Sequence, residues 1–262
     1  MSNSPLVSYT KLSPNHSGQR THAVDRITPH CVVGQCSVET LGNIFAPTSR
    51  QASCQYGIGV DGRVGMYVEE KNRSWCSSSN ANDQRAITIE CASDATHPYA
   101  FNDTVYAKLI ELCTDICKRY GKTKLLWFGD KTKTLNYEPA SNEMVLTVHR
   151  WFANKSCPGD WMYARMGDLA SKVTAKLGGS AGGTEKPADN QVLYRVQTGA
   201  FSNKANADAM LQKVKAAGFD TYMVKVDNLY KIQVGAFSKK TNADAMATKL
   251  KAAGFDTYVT TK

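Results

Sequence analysis

Tyr194-Arg-Val-Gln-Thr-Gly-Ala-Phe-Ser202 returns as Tyr230-Lys-Ile-Gln-Val-Gly-Ala-Phe-Ser238, an offset of 230 − 194 = 36 residues. Asn206-Ala-Asp-Ala-Met210 returns as Asn242-Ala-Asp-Ala-Met246, and Lys215-Ala-Ala-Gly-Phe-Asp-Thr-Tyr222 as Lys251-Ala-Ala-Gly-Phe-Asp-Thr-Tyr258, at the same offset. A fixed offset over three separate blocks marks an internal repeat. Each copy reads as strand, helix, strand. Val196 and Ile232 sit in short alternating strands, and helices follow over about 206–217 and 242–253, where Ala, Met, Leu and Val recur at helical spacing. Gly218 and Gly254 stand where a helix-ending glycine belongs, since glycine enters the left-handed conformation cheaply. Second strands are expected over 221–226 and 257–261. The tail, 194–262, is therefore expected to be a small α+β domain of two βαβ repeats.

Upstream, Gly178-Gly-Ser-Ala-Gly-Gly-Thr-Glu-Lys-Pro-Ala-Asp-Asn190 is polar, glycine-rich and without apolar period. It reads as a tether, which divides the 262 residues into a first domain, 1–177, a linker, 178–193, and the tail. The whole chain carries +9. Arg195 and ten lysines against five aspartates give 11 − 5 = +6 to residues 194–262 alone, a surface suited to polyanions. All eight cysteines fall between Cys31 and Cys157. A chain of this size does not need disulfide staples, so they are expected as thiols, with Cys113 and Cys117 packed in a core and one cysteine free to bind metal. No apolar run reaches the roughly 18 residues of a membrane span. The N-terminal Met1-Ser-Asn-Ser-Pro-Leu-Val-Ser8 lacks the basic start and apolar run of a signal peptide, which points to synthesis in the cytoplasm.

Three segments of the first domain carry chemistry. Arg26-Ile-Thr-Pro-His30-Cys-Val-Val-Gly34 is β-rich with a histidine inside it; Ala86-Ile-Thr-Ile-Glu90-Cys91 is a buried-looking strand ending in a carboxylate. Val148-His149-Arg-Trp-Phe-Ala-Asn-Lys155-Ser-Cys157-Pro-Gly159 straddles a turn. Thiolate and imidazole are ligands zinc prefers, and three protein ligands leave a fourth position for water, the pattern of a catalytic site. Elsewhere, Asn102-Asp-Thr104 leads into a helix whose Val105, Leu109, Leu112 and Ile116 form one stripe, ending at Gly121. His16, His22 and His97 lie in polar, loop-like surroundings and are assigned no chemistry.

These segments resemble the type-2 N-acetylmuramoyl-L-alanine amidases over about 20–175. The resemblance implies an α/β domain with a mixed central β-sheet flanked by helices, and one zinc ion. Its ligands would be His30 in the Ile-Thr-x-His strand and His149 with Cys157, eight residues apart (157 − 149 = 8). It further implies a catalytic glutamate at Glu90 and a catalytic lysine at Lys155. Ser53-Cys-Gln-Tyr-Gly-Ile-Gly-Val-Asp-Gly62 is similar to the family hairpin, and Trp75 to a tryptophan at the rim of the substrate groove. Tyr56, in that hairpin, is read first as structural, with a place beside Trp75 at the substrate as the alternative. Two positions depart from the family: Cys31 where many members have a second histidine, and Cys54 where some carry a helper tyrosine. Glu90 must then bear the helper role.

The repeat resembles the SPOR domain, on Gln-Val-Gly-Ala-Phe-Ser and Ala-Gly-Phe-Asp-Thr-Tyr. The resemblance implies binding to peptidoglycan strands stripped of stem peptides, with Phe201, Phe237, Arg195 and Lys231 as contact residues. Together the two resemblances imply an enzyme that cuts between the lactyl group of N-acetylmuramic acid and L-alanine, and acts at the bacterial wall after release. A phage endolysin is favoured over a sporulation autolysin. The rival from another class is a non-catalytic peptidoglycan receptor, against which Cys157 argues. A nucleic-acid binder has only the basic charge behind it, so no nucleic-acid partner is expected, and no membrane insertion.

Overall fold

The computed structural model describes residues 3–178, 194–219, 221–237 and 240–261. The chain divides into two compact units, Met1–Lys186 and Pro187–Lys262. The expected linker falls, past Gly178, outside the described residues. Among the described residues no helix is long and apolar enough to cross a membrane.

The first unit contains strands β1 (Val7–Thr10), β2 (His16–Gln19), β3 (Arg26–Cys31), β4 (Tyr56–Ile58), β5 (Val64–Met66), β6 (Asn72–Ser74), β7 (Ala86–Cys91), β8 (Lys124–Leu126) and β9 (Glu143–Leu146). Its helices are α1 (Val38–Phe45), α2 (Asn80–Arg85), α3 (Asp103–Arg119), α4 (Lys131–Leu135), α5 (Asp160–Tyr163) and α6 (Met166–Lys176). Seven strands form one sheet in the order β1-β5-β4-β7-β3-β9-β8. Only β4 and β5 pair antiparallel in it, so the sheet is mixed, as expected. Central β3 is buried at every position, which suits a parallel strand covered on both faces.

Helices cover each face. The stripe Val105, Leu109, Leu112 and Ile116 of α3 is fully buried, together with Cys113 and Cys117, against Ile87, Ile89 and Leu146 of the sheet. Burying one such side chain stabilises by about 1.5–3 kcal/mol. Asn102 starts α3 by accepting from Val105 N, and Gly121 follows its end at φ +66°. On the other side α1 packs Leu41 and Phe45 against Cys54 and Tyr67.

One edge of β3 explains where the sheet opens. The carbonyls of Asp25 and Ile27 accept from Val145 N and Thr147 N, so the odd-numbered positions face β9. Pro29 is next on that edge and has no N–H to give, and the β3–β9 register ends at Ile27↔Leu146. On its other edge β3 keeps pairing with β7 through His30↔Glu90 and Cys31↔Cys91. The sheet thus parts at the carboxyl end of β3 on one side only.

Tyr56 takes the structural one of its two expected places. It is fully buried on β4, donates to Glu70 Oε1 at 2.5 Å and accepts from Ser4 N at 2.8 Å. Its ring is part of the core cluster with Ile27, Ile58 and Ile89. Glu70 is completely buried, and Arg119 binds both its oxygens at 2.8 and 2.5 Å.

The second unit contains β10 (Tyr194–Phe201), α7 (Lys204–Ala216), β11 (Tyr222–Val226), β12 (Leu229–Phe237), α8 (Lys240–Ala252) and β13 (Tyr258–Thr260). Its antiparallel sheet runs β11-β12-β10-β13. The outer strand of each repeat therefore pairs with the inner strand of the other, β11 with β12 and β13 with β10, so neither βαβ half closes on itself. Both helices end as expected: Gly218 and Gly254 take φ +85°, and Phe219 N and Phe255 N reach back to Val214 O and Leu250 O at 3.3 and 3.0 Å. Gly199 and Gly235, at φ +119° and +136°, leave space for the rings of Phe201 and Phe237, which would lie 2.8 and 2.9 Å from an added Cβ. Phe237, expected as a wall contact, is partly buried and packs against the core of Val196, Val214, Val234 and Leu250. Arg195 and Lys231 are half-buried on β10 and β12.

Replacing Arg119 with alanine would leave the Glu70 carboxylate buried without its counter-charge. The expected loss is about 3–5 kcal/mol of stability, read by denaturant unfolding. A loss under about 1 kcal/mol would show that Tyr56 and the backbone suffice.

Candidate metal centre and groove

Three chain segments meet at the carboxyl edge of β7, β3 and β9, the edge where open α/β sheets bind ligands. His30 and Glu90 are register partners near the ends of adjacent parallel strands. His149 follows β9 by three residues, at the start of a short helical turn, His149–Trp151. Arg150 then shapes the loop to Cys157: its N–H donates to Cys157 O at 3.1 Å, and its guanidinium reaches Ser156 O and, at 2.9 Å, Asp160. Gly159, at φ +82°, lets this loop lie against Pro98 and Tyr99.

His30 is 1% exposed, and its Nδ1 lies 3.2 Å from Cys157 Sγ. The His30 and His149 rings are 5.1 Å apart between centroids. One ligand atom from each of His30, His149 and Cys157 falls within 4.8 Å of the others, and so does a second set, His30, Cys76 and Glu90. Glu90 Oε1 is 4.0 Å from both His30 Nδ1 and Cys76 Sγ, while Glu90 Oε2 is buried with no hydrogen-bond partner.

Burial drives the electrostatics. It holds His30 well below its ordinary pKa, with His149 adding to the effect, so His30 is neutral with a lone pair to offer. His149 is lowered by burial and then by the Lys155 charge. Burial pushes the Glu90 carboxyl up to about 7, against a smaller downward pull from Arg50. The Cys157 thiol is pushed well up by burial, then by Cys31 and Glu90. A bound cation reverses that last preference, since a coordinating thiol is deprotonated. Two imidazoles and a thiol, clustered within ligand reach beside an unpartnered buried carboxylate oxygen, fit a zinc ion.

Two hollows flank the cluster. One, of about 440 Å³, is lined by Arg50, Arg73, Trp75, Cys76, Ser78, Asp83, Glu90, His149 and Lys155. The other, of about 360 Å³, adds His30, Val32, Val33, Tyr99 and Cys157. Lys155 is exposed and borders both, and Trp75 stands at the first, its Nε1 donating to Ser17 Oγ at 2.6 Å. Four non-glycine residues with positive φ line these hollows: Val33, Gln51, Ser78 and Tyr99, at +58°, +51°, +62° and +58°. Such backbone costs about 1–3 kcal/mol each and clusters at functional sites. Sequence reasoning missed Cys76, Ser78, Arg50 and Arg73, whose only signal was nearness to Trp75 or to the hairpin. His97 and His16 lie elsewhere, His97 paired with Asp160 at 2.6 Å and His16 accepting from Gly18 N at 3.0 Å.

The profile of the family described as N-acetylmuramoyl-L-alanine amidase matches residues 19–160, and that described as SPOR domain matches 190–261. The peptidoglycan binding domain of the B. subtilis cell wall lytic enzyme CwlC is 54% identical, over 26% of this chain and 85% of its own, with a TM-score of 0.24. AmpD is 18% identical over 62% of this chain and 93% of its own, with a TM-score of 0.44. The N-acetylmuramoyl-L-alanine amidase LysC from Clostridium intestinale URNW is 17% identical over 66% and 96%, with a TM-score of 0.41. No curated protein matches the chain significantly.

Gly159→Ala would drive a Cβ to 2.8 Å from Pro98 O and force a left-handed alanine. It should cost about 1–3 kcal/mol in thermal unfolding. An unchanged melting point would mean that the Cys157 loop yields freely.

Proposed function

The chain belongs to the N-acetylmuramoyl-L-alanine amidase family and ends in a SPOR domain, and from that premise we propose a zinc-assisted hydrolysis of one bond in peptidoglycan. The bond is the amide between the lactyl group of N-acetylmuramic acid and L-alanine of the stem peptide. The observation that carries this reading is the convergence of His30, His149 and Cys157 beside the unpartnered carboxylate of Glu90.

His30, His149 and Cys157 would hold one zinc ion, and when bound it supplies a Lewis acid for the amide carbonyl and for water. Glu90, with a pKa of about 7, is poised to take a proton from the attacking water and to return it to the departing L-alanine nitrogen. Its burial is what makes both transfers accessible near neutral pH. Lys155 borders both hollows and would offset the negative charge that develops on the carbonyl oxygen. Trp75 would bear on the substrate at the groove's rim. On this reading residues 1–177 are the catalytic domain, 178–193 the linker and 194–262 the wall-binding domain. Arg195 and Lys231 would meet glycan strands stripped of peptide, whose free lactyl carboxylates suit a domain of +6. The enzyme acts at the bacterial wall, as an endolysin does.

Purified peptidoglycan should release intact stem peptides with free L-alanine amino termini, identified by mass spectrometry. Chelator should abolish release, and zinc should restore it. Glu90→Gln should remove nearly all turnover while retaining zinc. Lys155→Ala should lower kcat by about 10²–10³-fold. Sugar reducing ends, or cleaved peptide cross-links, would show that the bond is wrong.

Binding to stripped glycan should fall with Arg195→Ala/Lys231→Ala in co-sedimentation of the full chain, and soluble turnover should not. Equal retention on intact and stripped sacculi would sink the proposed preference.

A further inference from the structure

Beneath the two histidines lies a polar ring that catalysis leaves unexplained. Thr28 stands two residues before His30, and Thr147 two before His149. Their hydroxyl oxygens are 2.7 Å apart. Asn82, on α2, donates from Nδ2 to Thr28 Oγ1 at 3.0 Å, and its Oδ1 accepts from Thr147 Oγ1 at 3.0 Å. With the Thr147 proton committed to Asn82, the Thr28 hydroxyl must donate to Thr147. The three side chains close a directional ring in which each gives one hydrogen bond and takes one. All three are 0% exposed.

The ring sits where the backbone ladder stops. Pairing of β3 with β9 ends at Ile27↔Leu146, and Pro29 withholds the next donor. Thr28 and Thr147 continue the fastening for one more position through their side chains. An apolar set of the same shape at all three places would suit buried strands, so stability alone does not call for the ring, although one valine by itself would strand its partners. What hydroxyls add is direction: a closed network in a dry core accepts one geometry.

Asn82 also ties the ring to the groove. Its Nδ2 donates to Ser77 Oγ at 3.2 Å, and Ser77 Oγ donates to Asp83 Oδ1 at 2.6 Å. Asp83 further accepts from Cys76 N and Ser77 N, both at 3.1 Å. The loop so wrapped forces Ser78 to φ +62° and brings its Oγ to 2.9 Å from His149 Nε2. One buried amide thus reaches both histidine strands and the hydroxyl that holds one of the rings.

We propose that Asn82, with Thr28 and Thr147, is the positioning device of the metal centre, setting the separation of His30 and His149 and, through Ser77 and Asp83, the Ser78 hydroxyl on the His149 ring. The proposal rests on the reading of His30, His149 and Cys157 as zinc ligands. None of the ring residues touches metal or substrate. They act through the histidines.

The test uses the full chain with zinc removed, and measures zinc affinity by chelator competition, the visible spectrum with cobalt(II) in place of zinc, and thermal unfolding without metal. Thr28→Val and Thr147→Val should each weaken zinc binding toward the lower end of the about 10–100-fold that loss of a direct partner of a metal ligand costs. Each should also shift the cobalt bands, and Thr28→Ser, which keeps the hydroxyl, should restore both. Ser78→Ala, at an exposed position, should weaken zinc without lowering the metal-free melting point. It keeps the test open if a ring variant fails to fold. Folded valine variants with native zinc affinity and native cobalt bands would overturn the proposal and leave the ring a fold element only. A native chain that binds no zinc would overturn the metal-centre reading and this proposal together, a different result from native binding unmoved by the variants.

Discussion

Parallel pairing of β3 with β7 governs the chemistry of the first domain, because it sets His30 directly opposite Glu90. In a parallel sheet neighbouring strands end at the same edge, so groups near their carboxyl ends are brought together without any loop to position them. The other side of β3 does the opposite. Pro29 cannot continue the ladder to β9, the strands part, and His149 and Cys157 enter the gap from the loop beyond Leu146. A site of this kind needs one edge of a strand held and the other released. A single proline among residues of strong β preference supplies both conditions at no cost to the strand on its paired side.

The same low-dielectric surroundings act in opposite directions on the groups gathered there. Burial lowers His30 and raises Glu90, because in each case it penalises the charged form. The result is a neutral imidazole and a carboxyl that exchanges its proton near neutral pH, from one physical cause. Lys155 and Arg50 stay at the margins, where they bias the field without being desolvated. Glu70 shows the contrasting solution within the same domain. It is more deeply buried than Glu90, yet Arg119 and Tyr56 donate to its oxygens and the Arg119 charge balances its own. What separates a structural carboxylate from a reactive one here is the partner, not the depth.

Much of this was legible in the sequence, and the failures share a cause. The α3 stripe, the helix-ending glycines and the repeat are local patterns, and local patterns survive into the fold. The nearness of His30 to Cys157, 127 residues apart, was legible only through resemblance, since no local rule links them. Tyr56 kept two readings in the sequence because a hairpin resemblance does not state which of its side chains face the core. The pairing of the two repeats could not be read at all: near-identical copies offer near-identical edges, and only the folded sheet reveals that each outer strand joins the other copy. The ring of Thr28, Thr147 and Asn82 was invisible because threonine in a strand and asparagine near a helix start are each ordinary alone.

The proposed reaction also bears on why a basic domain follows a hydrolytic one. Removal of a stem peptide uncovers a lactyl carboxylate, so the reaction itself creates the charge that attracts residues 194–262, which carry +6. At physiological ionic strength such attraction fades beyond about 8 Å, so it acts on strands already at hand and does little to recruit distant ones. Charge of that range favours retention over search. Selectivity must then come from shape, and the exchanged pairing of β11 and β13 joins both repeats in one sheet. On the proposed reading, one sheet shared by both repeats offers a glycan a single continuous surface, with less to order on binding than two separate halves would have.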